Sequence, residues 1–122
     1  MLSNRFEIAA ISLALTSVAH TAIGPKWMAN PKFKSLPTVA RAYSVSGWYQ
    51  GSLFFLLSSL INYRWSRMNL TNGLTDPVDK GIAGILIFLL WGSSVWYYRH
   101  GVKDTSFAVA AGGAVQAWAA FF

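Results

Sequence analysis

Two histidines and one aspartate, His20, His100 and Asp104, are the residues of this chain best equipped to move a proton. Imidazole changes charge near neutral pH, and a neighbouring carboxylate can orient it or exchange a proton with it. His20 closes a run in which Ser12, Thr16 and His20 recur every four residues, a spacing that places them on one face of a helix. Brought together at a membrane edge, His20, His100 and Asp104 would form an acid–base cluster. It would suit an isomerase or cyclase acting on a lipid, sterol or terpenoid-like substrate. Each member also has a purely structural use. Ser and Thr hydroxyls bond back to their own helix, His100 suits a helix C-terminus, and Asp104 suits an N-terminus.

A second group would hold a ligand without transforming it. Gln50 stands in an apolar stretch beside Trp48 and Tyr49, with Trp91 on a later stretch. An amide among aromatic rings can bind the polar end of a lipid-like molecule. Gln50 and Gln116 can equally bond across helices. A third group concerns packing. Gly47 and Gly51, and the adjacent Gly112 and Gly113 in AVAAGGAVQAWAA, let two helix backbones approach closely.

Several chemistries find no support in the sequence. With no Cys there is no disulfide, thiolate nucleophile or thiolate-bound metal. His20 and His100 are the minimum for a bis-histidine haem, but His100 falls in a turn, so no haem, metal or other cofactor is expected. No carboxylate lies near the middle of an apolar stretch. Phosphate-binding loops and nucleophile elbows are missing too.

The elements that position these groups follow from composition. Only 11% of the 122 residues are charged and 54% are hydrophobic, against about 25% charged in an ordinary soluble domain. Such a chain cannot clothe a water-facing surface, and it reads as an all-α integral membrane protein. The net charge of +6 sits in the gaps between apolar stretches. That is the pattern of anchoring at lipid head groups, not of nucleic-acid binding. The apolar periodicity predicts a single domain, 1–122, with four helices at about 5–23, 38–65, 77–100 and 105–122, joined up and down as a transmembrane bundle.

Local signals mark the ends. Asn4 and Glu7 have capping-box spacing, and Glu7 together with the lack of a small-residue cleavage motif argues for an uncleaved first helix. Gly24-Pro25 is the expected stop of that helix, and Asp76-Pro77 with Asp79 the start of the third. Four crossings would place Lys26, Lys32, Lys34, Arg41, Arg99 and Lys103 on one side, and Arg5, Arg64, Arg67 and Lys80 on the other. Six basic residues against four favour the first side as cytoplasmic. The Asn69-Leu70-Thr71 sequon would then lie in a lumen. Spans near the short end of the bilayer range fit an endomembrane or the mitochondrial inner membrane better than a plasma membrane. Short loops, an uncharged interior and the small-residue face of the last helix point to an accessory or scaffold subunit of a larger membrane complex. Its partners would be lipids and other subunits or further copies of itself, and the enzyme and lipid-binder readings are the alternatives.

Overall fold

The computed structural model describes residues 4–68 and 70–122, so the sequon residue Asn69 lies outside the described residues. The described residues form helices and no strands. They comprise α1 (Asn4–Met28), the short α2 (Pro31–Lys34), α3 (Thr38–Ser66), α4 (Pro77–Arg99) and α5 (Lys103–Phe121).

α1 continues through Gly24-Pro25, where the sequence suggests a stop. Proline forfeits only one helical hydrogen bond, that to the carbonyl four residues back. The extra turn is held from outside. Trp48 of α3 lies so close to Gly24 that a Cβ there would sit 2.8 Å from its Nε1, and that Nε1 donates to the His20 carbonyl at 2.8 Å. Trp27 then meets Trp48 and Phe33 edge-on, with centroids 5.0 and 4.7 Å apart. α2 is started by Asn30, whose side chain accepts from the Lys32 N–H at 2.9 Å. α4 begins as its sequence suggests, with the Asp76 carboxylate accepting from the amides of Val78 and Asp79 at 2.8 and 3.1 Å. α5 starts at Lys103, earlier than the expected start at about 105 with Asp104 at its N-terminus. Val102 occupies the cap position without a side-chain bond, and Asp104 falls in the first turn.

The two long pairings are α1 with α3 and α4 with α5, and α1 against α5 joins them; α3 and α4 scarcely touch. Both seams are built from side-chain donors aimed at carbonyls of the facing helix. Along α1 and α3, Ser59 Oγ donates to Ala10 O and Ser17 Oγ to Ser52 O, each at 2.7 Å. Between α4 and α5, Ser94 Oγ donates to Ser106 O at 2.8 Å and Ser106 Oγ returns to Ser94 O at 2.9 Å. The diagonal from α3 to α5 is a buried amide pair. Asn62 Nδ2 donates to Gln116 Oε1 at 2.8 Å, and Gln116 Nε2 to Asn62 Oδ1 at 3.2 Å.

The apolar core gathers at one end of the bundle, where Phe6, Ala9, Trp65, Leu74, Ala83, Ala119 and Ala120 pack together. The 70–76 loop closes this end, with Leu74 N donating to Ala120 O at 2.9 Å. Gly73, at a φ of 83°, lies so near that carbonyl that a Cβ would stand 2.6 Å from it.

By length and composition two helices, α1 and α4, qualify as membrane spans, rather than the four that the periodicity suggests. Serines and Gln50 dilute α3, while Lys103, Asp104, Gln116 and the glycines lower the hydropathy of α5.

Candidate functional site

Pinned at one end, the α1–α3 and α4–α5 pairs part from each other at the other end, while each pair stays closed along its own seam. Between them lies an open cavity of about 750 Å³. Each helix contributes to its wall: Thr16 and His20 from α1, Trp48 and Phe55 from α3, Tyr97 from α4 and Asp104 from α5. A shallower groove of about 400 Å³ along α4 shares Leu89, Ser93 and Tyr97 with it.

His20 is the most constrained polar group in this wall. Its ring stacks on Trp48 at 3.7 Å between centroids and 12° between planes. Phe55 meets it edge-on at 5.4 Å and 72°. Nδ1 lies 2.9 Å from Ser52 Oγ, and Ser52 is itself tied to α1 through the bond that its carbonyl accepts from Ser17. Gly51 makes room for the ring, since a Cβ there would stand 3.2 Å from His20 Cε1. Stacking, an edge contact and one hydrogen bond leave the imidazole a single orientation. Nε2 has no hydrogen-bond partner among the described residues. Thr16, one turn back on the same stripe, donates its hydroxyl to the Ser12 carbonyl at 2.8 Å and so offers only its acceptor lone pairs and methyl group.

The three proton-transfer candidates do not assemble. The structure brings His20 and Asp104 to one cavity and leaves His100 outside it. His100 is the residue that ends α4. Its Nδ1 lies 2.8 Å from the Trp96 carbonyl, its ring tilts against Trp96, and it is exposed. Of the ligand-binding candidates, Trp48 lines the cavity, whereas Gln50 and Tyr49 point away from it on α3. Trp91 serves the α4–α5 seam: its Nε1 donates to Ala110 O at 3.2 Å and its ring covers Gly113. Among the packing glycines, Gly113 and Gly51 are occupied by side chains of the same chain, while Gly47 and Gly112 have nothing within 4 Å of where a Cβ would be.

Ser52, Phe55, Tyr97 and, apart from Asp104, the α5 lining were not singled out by sequence reasoning. A signal for α3 was present: Gly47, Trp48, Gly51, Phe54 and Phe55 follow the helical repeat on one face, which excludes Tyr49 and Gln50.

Among the described residues no three His, Asp or Glu side chains cluster as a metal site would require. Compared with known proteins, the chain matches no family model, no curated protein and no solved structure. Its chemistry therefore has to be read from this cavity.

Proposed function

We propose that the chain is a small integral membrane protein whose four long helices each cross the bilayer, and whose cavity binds a hydrophobic molecule arriving from the lipid. The reversed polarity of α3 carries this reading. The buried residues of α3 are Ser52, Ser58, Ser59, Asn62, Trp65 and Ser66, whereas Leu53, Leu56, Leu57 and Leu60 face outward, with Leu53 66% exposed. A water-soluble domain does not turn leucines out and serines in over the length of a helix. In hydrocarbon the same arrangement is favourable, because lipid takes the leucines and the hydroxyls bond to carbonyls inside. The serines that lower the hydropathy of α3 therefore carry little penalty into the membrane: Ser44, Ser58 and Ser59 donate to the carbonyls of Ala40, Phe54 and Ala10. α1 and α4 have only 28% of their apolar stretches buried, unlike the core helix of a soluble domain.

The cavity falls within the range of about 300–1,000 Å³ usual for small-molecule sites. Its walls are mostly apolar, and His20 and Asp104 supply the convergent polar groups. Because α3 and α4 scarcely touch, a ligand can enter sideways from the bilayer between them. The six basic residues at the open end would face the cytoplasm or its equivalent.

Photolabelling in nanodiscs with an alkyl-diazirine probe tests this. Labelling should concentrate on cavity residues such as Phe55 and Val109, and Ala108→Trp, which fills the cavity, should abolish it while the helical signal stays intact. Labelling spread evenly over the outer leucines, and untouched by Ala108→Trp, contradicts the proposal.

An accessory-subunit role is a second reading, favoured by the uncovered glycines Gly84, Gly92 and Gly112, which would admit a neighbouring helix. A defined protein partner that co-purifies in mild detergent, and is lost on Gly112→Leu, would establish it.

A further inference from the structure

We infer that the cavity selects a hydrophobic molecule bearing a neutral hydrogen-bond acceptor of the carbonyl class, held by the Nε2–H of His20. The inference rests on the ligand-binding reading above and concerns what that ligand must carry.

It follows from the surroundings of Ser52. This residue is buried, at 4% exposure, so its hydroxyl hydrogen needs an acceptor inside the protein. Other serines of α3 satisfy theirs on a backbone carbonyl one turn back, as Ser44 does on Ala40 and Ser58 on Phe54. The partner of Ser52 Oγ is instead His20 Nδ1, at 2.9 Å. Were Nδ1 protonated, it would donate to Ser52, and the serine hydrogen would be left without an acceptor. With Nδ1 unprotonated, Ser52 donates to it and both groups are satisfied. Neutral imidazole carries its one hydrogen on the other nitrogen. Nε2–H is thus a donor fixed in direction by the Trp48 stack and the Phe55 edge, and it has no acceptor among the described residues. A ligand that covers the ring without offering an acceptor forfeits that hydrogen bond, so an acceptor is selected. Asp104 on the α5 side of the cavity decides the charge of that acceptor. A carboxylate head held at His20 would meet the like charge of Asp104 at the cavity mouth, whereas a ketone, quinone or ester carbonyl would not.

Two measurements test this. The first needs no ligand: ¹⁵N shifts of the His20 side chain, recorded in the His100→Gln background where imidazole is neutral, should show Nε2 protonated and Nδ1 bare. The reverse assignment overturns the inference. The second is competition against the diazirine probe by a long-chain ketone, the matching alkane and the matching fatty acid. The ketone should compete about five-fold better than the alkane, the scale of one neutral hydrogen bond, and better than the acid. His20→Phe, which keeps an aromatic ring against Trp48, should remove the advantage over the alkane. Equal competition by ketone and alkane overturns the carbonyl assignment and leaves the cavity reading standing. Failure of every competitor defeats both.

Discussion

His20 and Gly113 show how far the surroundings of one residue settle its role. His20 is held by the Trp48 stack, the Phe55 edge and Ser52, with Nε2 left free of any partner among the described residues, while His100 has its Nδ1 beside a carbonyl and stands at the surface. His100→Gln should therefore leave probe labelling unchanged and lower the unfolding free energy only slightly, by less than about 1 kcal/mol. Labelling lost in that variant would bring His100 back into the site. Gly113 is the contrasting case. Its missing side chain is replaced by the Trp91 ring, whose Nε1 reaches the Ala110 carbonyl at 3.2 Å. Gly113→Leu must displace that ring and break its hydrogen bond, so it should cost about 1–3 kcal/mol in a denaturant titration in detergent. Gly112→Leu on the open side should be close to neutral. Equal losses for the two would mean that Gly112 also meets a helix, as the accessory-subunit reading requires.

At the scale of the helix, the proposed membrane setting would have hydrogen bonds inside the bundle replace the hydrophobic drive that lipid removes, each contributing about 0.6 to 2 kcal/mol. The Asn62–Gln116 pair is the strongest case, since both residues are almost fully buried and each amide satisfies the other. Asn62→Leu or Gln116→Leu alone leaves a buried amide unpaired and should destabilise the bundle by about 1–3 kcal/mol. The double variant should recover much of that loss, a pattern that a double-mutant cycle of unfolding energies would read directly. Additive losses would show that the two amides act independently.

The same helices explain what was legible in the sequence. Asp76-Pro77 marks the start of α4 because its cap is a local event, complete within four residues. Gly24-Pro25 misleads because the bonds that carry α1 past it come from Trp48, twenty-four residues further on. Gln50 was attractive because it is polar in an apolar stretch, yet the helical phase that turns Trp48 and Gly51 inward turns Gln50 out. Ser52 looked ordinary, since nothing local reveals that its hydroxyl meets His20 rather than its own helix. Trp91 is ambiguous in the sequence for a similar reason: an aromatic ring near the end of an apolar stretch fits a ligand site and a glycine seam equally well until the facing helix is known.

For the molecule as a whole, the arrangement of tight end and open end follows from where the small and large residues lie. Ala83, Ala119 and Ala120 let the helices converge around Phe6 and Trp65, and the 70–76 loop seals that end. At the other end Trp48, Phe55 and Tyr97 stand among the helices and the space between them stays open. This cavity is a lipid-accessible site only if all four helices lie within the bilayer, which makes the number of crossings the central claim. The absence of native cysteine makes it directly measurable. Single cysteines at Ser35, Thr75 and Lys103, all exposed positions outside the buried seams, can be probed in sealed vesicles with a membrane-impermeant maleimide. Four crossings place Ser35 and Lys103 on one side and Thr75 on the other. If only α1 and α4 cross, Ser35 and Thr75 label together and Lys103 labels from the opposite side, and that result would contradict the account.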